Sequence, residues 1–217
     1  MLTKPLVAVD LDGTLIDKSV LRVIIESTIS QNGLLSAILP LVYLCIFKTN
    51  PTTNSFIKDN LDIIRLDSIH SSPLHLNTNM IKYLLNIQHS NTLALATGSD
   101  QYTCEVMAAF FEKYFGLIFQ HKIGSQEGEF SISEIKLAKL KQITNQFGLN
   151  RFAYVGNSDQ DISLWKDPDV DVICVGDIAF FEHVRNVTGK LNCILIDGEF
   201  TGARESHAQI FPEEYTK

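Results

Sequence analysis

The chain has 217 residues, enough for one domain or for a core carrying a modest insertion. Apolar residues make up 45% and charged residues 20%, which supports a substantial core and excludes a disordered chain. The formal net charge is -7, and Lys and Arg form no cluster, so the sequence lacks the electrostatic footprint of a nucleic-acid binder. An acidic chain also repels anionic substrates at long range, so phosphate chemistry here requires a local cation.

Pro5 to Val9 is a short apolar run ending at Asp10, and it reads as a buried parallel strand with acids at its carboxyl end. From Lys18 to about Ser90 the apolar spacing is helical, with breaks at Asn32-Gly33 and between Thr49 and Thr53. Within it, Leu34 to Phe47 is strongly hydrophobic. It is too short to cross a membrane and is interrupted by Pro40. Two readings stay open for it: buried helical pieces, or a greasy surface for a lipid or the membrane interface.

Thr92 to Ala96 is a second buried strand, followed by Thr97-Gly98-Ser99 and a helix from about Asp100 to Tyr114. Leu117 to Ile123 reads as a third strand, and Gly124 to Ser131 as a turn or small hairpin. Ser133 suits the N-cap of a helix that runs to about Phe147, with Gly148 at its end. Phe152 to Val155, Val170 to Val175 and Cys193 to Ile196 complete the strands. The tail from Gly198 reads as a closing loop or partly ordered segment. Strands alternating with helices predict an α/β fold with a doubly wound, mainly parallel, Rossmann-like sheet. Ligands bind beyond the carboxyl ends of such strands, and the polar clusters fall there: Asp10 to Thr14, Thr97 to Ser99, and Asn157 to Asp161.

Asp10 and Asp12 stand two residues apart after a strand, a spacing that turns both carboxylates into one crevice, and Gly13 permits a tight turn. Paired carboxylates hold Mg²⁺ against phosphate, and an Asp can itself attack phosphorus.

The string DLDGTL resembles motif I of the haloacid dehalogenase (HAD) superfamily. LALATGS resembles motif II, Lys136 in SEIKLAKL matches the motif III lysine, and YVGNSDQD resembles motif IV. The order is that of the family, and the motifs span about Leu6 to Val175. The resemblance implies Asp10 as nucleophile and Asp12 as general acid and base, with Thr97, Gly98 and Lys136 on the phosphoryl oxygens. It implies Mg²⁺ held by Asp10, Asp12, Asn157 and Asp161, that of Asp12 through its backbone carbonyl. Lys139 and Lys141 are neighbouring rivals to Lys136. Asn157 stands where the family commonly has Asp, and an amide oxygen without charge predicts weaker metal binding. Asp161, or Asp159 in another loop register, then becomes the acidic anchor.

Roughly 85 residues separate motifs I and II, far more than a simple crossover needs. In the superfamily such an insertion resembles a helical cap that excludes water and selects substrates. The expected organisation is a core of residues 1-17 and 91-217 with a cap of 18-90. The layout looks like the phosphoserine-phosphatase-like branch, and the motif wording is similar to the HAD region fused to UbiA-type prenyltransferases.

The function expected from this resemblance is a phosphoric monoester hydrolase acting on a lipid-linked or other hydrophobic phosphate. A small-metabolite phosphatase, a phosphotransferase and a non-catalytic phosphate- or partner-binding module are the alternatives. The partners expected are a small-molecule or lipid phosphate and no nucleic acid, with peripheral membrane contact through the cap left open. Cys45, Cys104, Cys174 and Cys193 show no metal-ligand spacing and read as free thiols, and the N-terminus reaches two carboxylates too soon for a signal peptide. Both point to the cytoplasm.

Overall fold

The computed structural model describes residues 4–32, 58, 60–125 and 133–215. The apolar run 34–47 and most of the expected hairpin after Gly124 lie outside the described residues. Six parallel strands form the main sheet: β1 (Leu6–Val9), β3 (Thr92–Asp100), β4 (His121–Ser125), β5 (Phe152–Gly156), β6 (Val170–Val175) and β7 (Cys193–Ile196). Their order is β4-β3-β1-β5-β6-β7, so β1 lies between β3 and β5. That position brings the first, second and fourth motifs to adjacent strand ends.

The doubly wound reading follows from alternation along β1. Val7 and Val9 enter one apolar cluster, with α2 (Thr78–Ile87) and α3 (Gln101–Phe115) packed against it. Leu6 and Ala8 enter the other, with Leu140 from α4 (Ser133–Gln146), the short α5 (Ile162–Trp165) and α6 (Ile178–Thr188). A strand buried on both faces has no polar position, which is why LVAV reads as a continuous apolar run. The helix boundaries follow ordinary capping chemistry. Asp100 caps α3 by accepting from Thr103 N, and Gly116 ends it at φ 65°.

Two expectations change in detail. The third strand covers His121–Ser125, four residues later than its expected start, because Leu117 and Phe119 are buried in the approach to the strand. The tail from Gly198 is built structure. It forms β8 (Phe200–Gly202), α7 (Ala203–Ile210) and a 3₁₀ turn over Pro212–Tyr215.

β8 pairs antiparallel with β2 (His75–Asn77), which in turn bridges Ile16. Asp17 N donates to His75 O, and Asn77 N donates to Leu15 O. The chain leaving the first motif, the chain returning before α2, and the C-terminal segment therefore make one small three-stranded ribbon. Beneath it the hydroxyls of Thr78, Thr201 and Ser206 hydrogen-bond at 2.7 to 3.0 Å. α1 (Val20–Asn32) follows the ribbon and packs on the 3₁₀ turn Leu61–Ile64.

Candidate active site

Asp10 follows the last residue of β1, and its backbone N–H donates to Val155 O at 3.0 Å on β5. The strand pairing thereby fixes where its carboxylate starts. Lys136 comes from α4, whose buried residues Lys136, Leu140 and Thr144 recur every fourth position. The lysine thus lies on the sheet-facing stripe of its helix. Its Nζ donates to Asp10 Oδ1 at 2.9 Å, with both side chains nearly buried. Of the two rivals, Lys141 pairs with Asp167 and Asp169, away from the site. The start of α4 is anchored by Ser133 Oγ, which donates to Gln160 O.

Asp12 sits in a turn closed by Gly13 N to Ile16 O and by Leu15 N to Leu11 O. Gly13 adopts φ 75°, and an added Cβ would lie 2.1 Å from Asn157 Nδ2, so only glycine fits without displacement. The Asp12 carboxylate accepts from Val20 N at the start of α1 and from Ser99 Oγ just past the second motif. Burial pushes the Asp10 carboxyl up to about 7, against the pull of Lys136 and with a push from Asp161. Burial likewise raises Asp12 to about 6, against the hydrogen bonds from Val20 and Ser99. A carboxyl poised near neutrality at Asp12 suits proton transfer at physiological pH.

Thr97 is fully buried, and its Oγ1 accepts from Ser99 N at 3.0 Å. The carbonyl of Gly98 accepts from Ser125 Oγ at 2.8 Å, which fixes the backbone at the carboxyl end of β3. The fourth cluster lies across from the Asp12 turn. Asn157 Oδ1 accepts from Thr14 Oγ1 at 3.1 Å. Asp161 turns inward: its Oδ2 accepts from Asn157 N, Ser158 N and Ser158 Oγ at 3.0 to 3.1 Å. Its Oδ1 accepts from Tyr154 OH at 3.0 Å. In this geometry Asp161 organises the loop and adds negative charge to the crevice, while Asp159 is exposed and faces His183.

Sequence reasoning placed Ser99 in the second polar cluster without giving it a role, and it missed the Val20 amide and above all Tyr154. Tyr154 is fully buried on β5 and takes a hydrogen bond from Lys136 Nζ at 2.9 Å. A tyrosine on a strand otherwise made of apolar residues was the available clue, since a buried phenol must find a partner. Trp165 packs against it, donating Nε1 to Tyr154 O.

Among the described residues no group of three His, Cys, Asp or Glu side chains is arranged to hold a metal ion. Mg²⁺ does not require such a cage, because it is commonly bound by one or two carboxylates, with waters and substrate phosphate completing its shell. Asp12 and Asp161 both lie close enough to Asp10 to raise its carboxyl, and Lys136 is the cation that pulls it down. That excess of negative charge and hard oxygen fits a divalent ion. Cys104 and Cys174 are buried free thiols, and Cys193 is partly so.

No family model matches the chain, and no curated protein matches it in sequence. Solved structures do resemble it. A haloacid dehalogenase-like hydrolase family protein from Streptococcus pneumoniae superposes with TM-score 0.54 at 17% identity, over 90% of this chain and 95% of that one. A protein of unknown function from Bordetella pertussis gives TM-score 0.61 at 17% identity, over 91% of this chain and all of that one. A phosphoserine phosphatase in its apo form gives 0.53 at 13% identity, over 88% and 93%. With the strand order and the helices on both faces, these likenesses show the fold: this chain is a Rossmann-like α/β protein with the fold of those structures.

Proposed function

We propose that this protein is a Mg²⁺-dependent phosphohydrolase that cleaves a phosphate monoester through an aspartyl-phosphate on Asp10. The observation that carries the reading is the pairing of a nearly buried Asp10 with Lys136 at 2.9 Å, beside a second, partly buried carboxyl held by Val20 N and Ser99 Oγ.

Lys136 and the Thr97 hydroxyl bind the phosphoryl oxygens, together with the backbone N–H of Gly98. An Asp10 oxygen attacks phosphorus, and the bond from phosphorus to the ester oxygen breaks. Protonated Asp12 gives its proton to the departing alkoxide. Asp12, now a carboxylate, takes a proton from water as that water attacks the aspartyl-phosphate. Inorganic phosphate leaves, and Asp10 is restored. Positioning and charge neutralisation supply most of the acceleration in phosphoryl transfer. Asp10, the Asp12 carbonyl and Asn157 are the groups that would hold Mg²⁺, with Asp161 contributing charge through the loop it braces. The bound cation would neutralise charge on the phosphoryl group.

For the substrate we propose a hydrophobic phosphate ester, lipid-linked or otherwise, selected by a helical cap. The reading rests on the run Leu34 to Phe47 within an insertion of the chain between Asp17 and His75. We draw these limits narrower than 18-90, because His75–Asn77 rejoins the segment leaving the first motif before Thr78–Ile87 begins. Peripheral contact with a membrane through that insertion is part of the proposal. Among the described residues no helix is long and apolar enough to cross one.

The test is phosphate release from an aryl phosphate with and without Mg²⁺, for the parent and for Asp10→Asn. Metal-dependent release that the substitution abolishes is expected. Equal release from both proteins would sink the assignment of Asp10. A panel of alkyl phosphates of rising chain length should show kcat/KM climbing with length, and a flat series would remove the hydrophobic substrate class.

A further inference from the structure

Lys136, Tyr154 and Asp161 form a continuous buried chain. Lys136 Nζ donates to Tyr154 OH at 2.9 Å, and Tyr154 OH donates to Asp161 Oδ1 at 3.0 Å. We infer that Tyr154 is a positioning residue for phosphoryl transfer, holding the Lys136 ammonium on the phosphate site and coupling it to the loop that carries Asn157. This inference rests on the phosphohydrolase reading.

A lysine has three N–H groups on a flexible stem, and nothing intrinsic to it selects one direction. Among the described residues two of the three are engaged, one by Asp10 and one by Tyr154. One N–H is thereby left for a phosphoryl oxygen on Asp10. Tyr154 itself cannot drift. It is fully buried, its ring packs edge-on against Trp165 at 6.3 Å, and its carbonyl accepts from Trp165 Nε1.

The phenol also discriminates between its partners. A direct contact between Lys136 and Asp161 would draw the ammonium toward the loop carboxylate and away from Asp10. With the hydroxyl interposed, the lysine meets a neutral acceptor on that side and its only described carboxylate partner is Asp10. Asp161 in turn is satisfied by four donors and spends its second oxygen entirely on the Asn157-Ser158 turn. One hydroxyl therefore ties the phosphate-binding cation to the loop bearing the amide oxygen of Asn157.

The experiment is a double-mutant cycle with Tyr154→Phe and Lys136→Gln. Binding of inorganic phosphate in the presence of Mg²⁺ is measured by calorimetry, and kcat and KM are measured on an aryl phosphate. Tyr154→Phe should lower phosphate affinity and kcat by about 10-fold, the scale of one hydrogen bond to a charged group. In the Lys136→Gln background it should cost less than about 2-fold, because its route is already removed. Trp165→Phe, which weakens the support but keeps the hydroxyl, should lower the melting temperature and lower phosphate affinity by less than Tyr154→Phe does. If the phenylalanine variant does not fold, difluorotyrosine at position 154 keeps ring and hydroxyl with a weaker acceptor and should shift affinity in the same direction.

Parental affinity and kcat in Tyr154→Phe, or in the difluorotyrosine protein where that one is used, would overturn the inference. So would losses that simply multiply across the cycle. A parent that binds phosphate without turning over the ester contradicts the hydrolase reading, yet leaves the cycle in binding to decide Tyr154. A parent that binds no phosphate overturns both.

Discussion

Replacing Gly13 by Ala separates two costs that other glycines of this fold let one measure apart. At φ 75° an alanine pays the left-handed penalty of about 1–2 kcal/mol. Its Cβ would also stand 2.1 Å from Asn157 Nδ2, so the amide must move. Moving it breaks the hydrogen bond from Thr14 Oγ1, worth about 1 kcal/mol. The sum is about 2–3 kcal/mol, or a fall of roughly 5–10 °C in melting temperature for a chain of this size. Gly116→Ala is the reference, because that residue has φ 65° with nothing within 4 Å of the added Cβ. It should pay the backbone part alone. Differential scanning calorimetry of both variants gives the contact part by subtraction, and calorimetric titration of Mg²⁺ should show weaker binding only in Gly13→Ala. Equal melting temperatures for the two variants, or unchanged Mg²⁺ affinity in Gly13→Ala, would refute the packing of the first motif against Asn157.

Three further outcomes follow from the site. Asp10 and Asp12 are raised to about 7 and 6, so the folded metal-free protein keeps protons that the unfolded chain has already lost. Their favourable contribution is complete below about pH 4 and disappears as pH rises through 6 and 7. In EDTA, melting temperature should therefore fall across that window, and Mg²⁺ should restore it most at the upper end. A flat profile would contradict the burial of both carboxyls. Asn157→Asp should tighten Mg²⁺ binding by adding a charge next to the cation, and an affinity equal to the parent's would show that this position does not face the metal. Thr201→Val, which removes the Thr201 hydroxyl from its contacts with Thr78 and Ser206, should cost about 1 kcal/mol in urea unfolding, since Thr78 and Ser206 keep the hydrogen bond between them. A loss below 0.5 kcal/mol on that scale would mean the ribbon is held by its backbone pairing alone.

The fold was largely legible because its strands are buried on both faces. LVAV, Thr92 to Ala96 and Val170 to Val175 announce themselves as apolar runs, and the polar residues that follow them mark the strand ends. Lys136 was legible by motif, and its helix confirms the direction through the spacing with Leu140 and Thr144. Tyr154 was not, because its importance comes from partners 18 residues before it and 7 after it, which no local pattern connects. Asp161 was read as a metal anchor from its place in a motif. Its four hydrogen bonds are a property of how the Asn157-Ser158 turn folds back on it. β8 escaped because FTG is three residues long between glycines, and its pairing with His75–Asn77 is set by distant chain.

That pairing has a consequence for synthesis. The ribosome has delivered Asp10, Thr97, Lys136 and Asn157 before β8 exists, so strands β1, β3 and β5 can meet first. The two ends of the insertion meet each other directly through Ile16 and Leu76, and Phe200–Gly202 adds the third strand of the ribbon only when it emerges. At about 5–20 residues per second the chain waits a few seconds in a form whose motif-bearing strands are complete and whose ribbon lacks its outer strand. A nascent chain stalled near residue 198 would be the species to probe with protease. Cleavage within the insertion that ceases once β8 is added would mark the last step of folding.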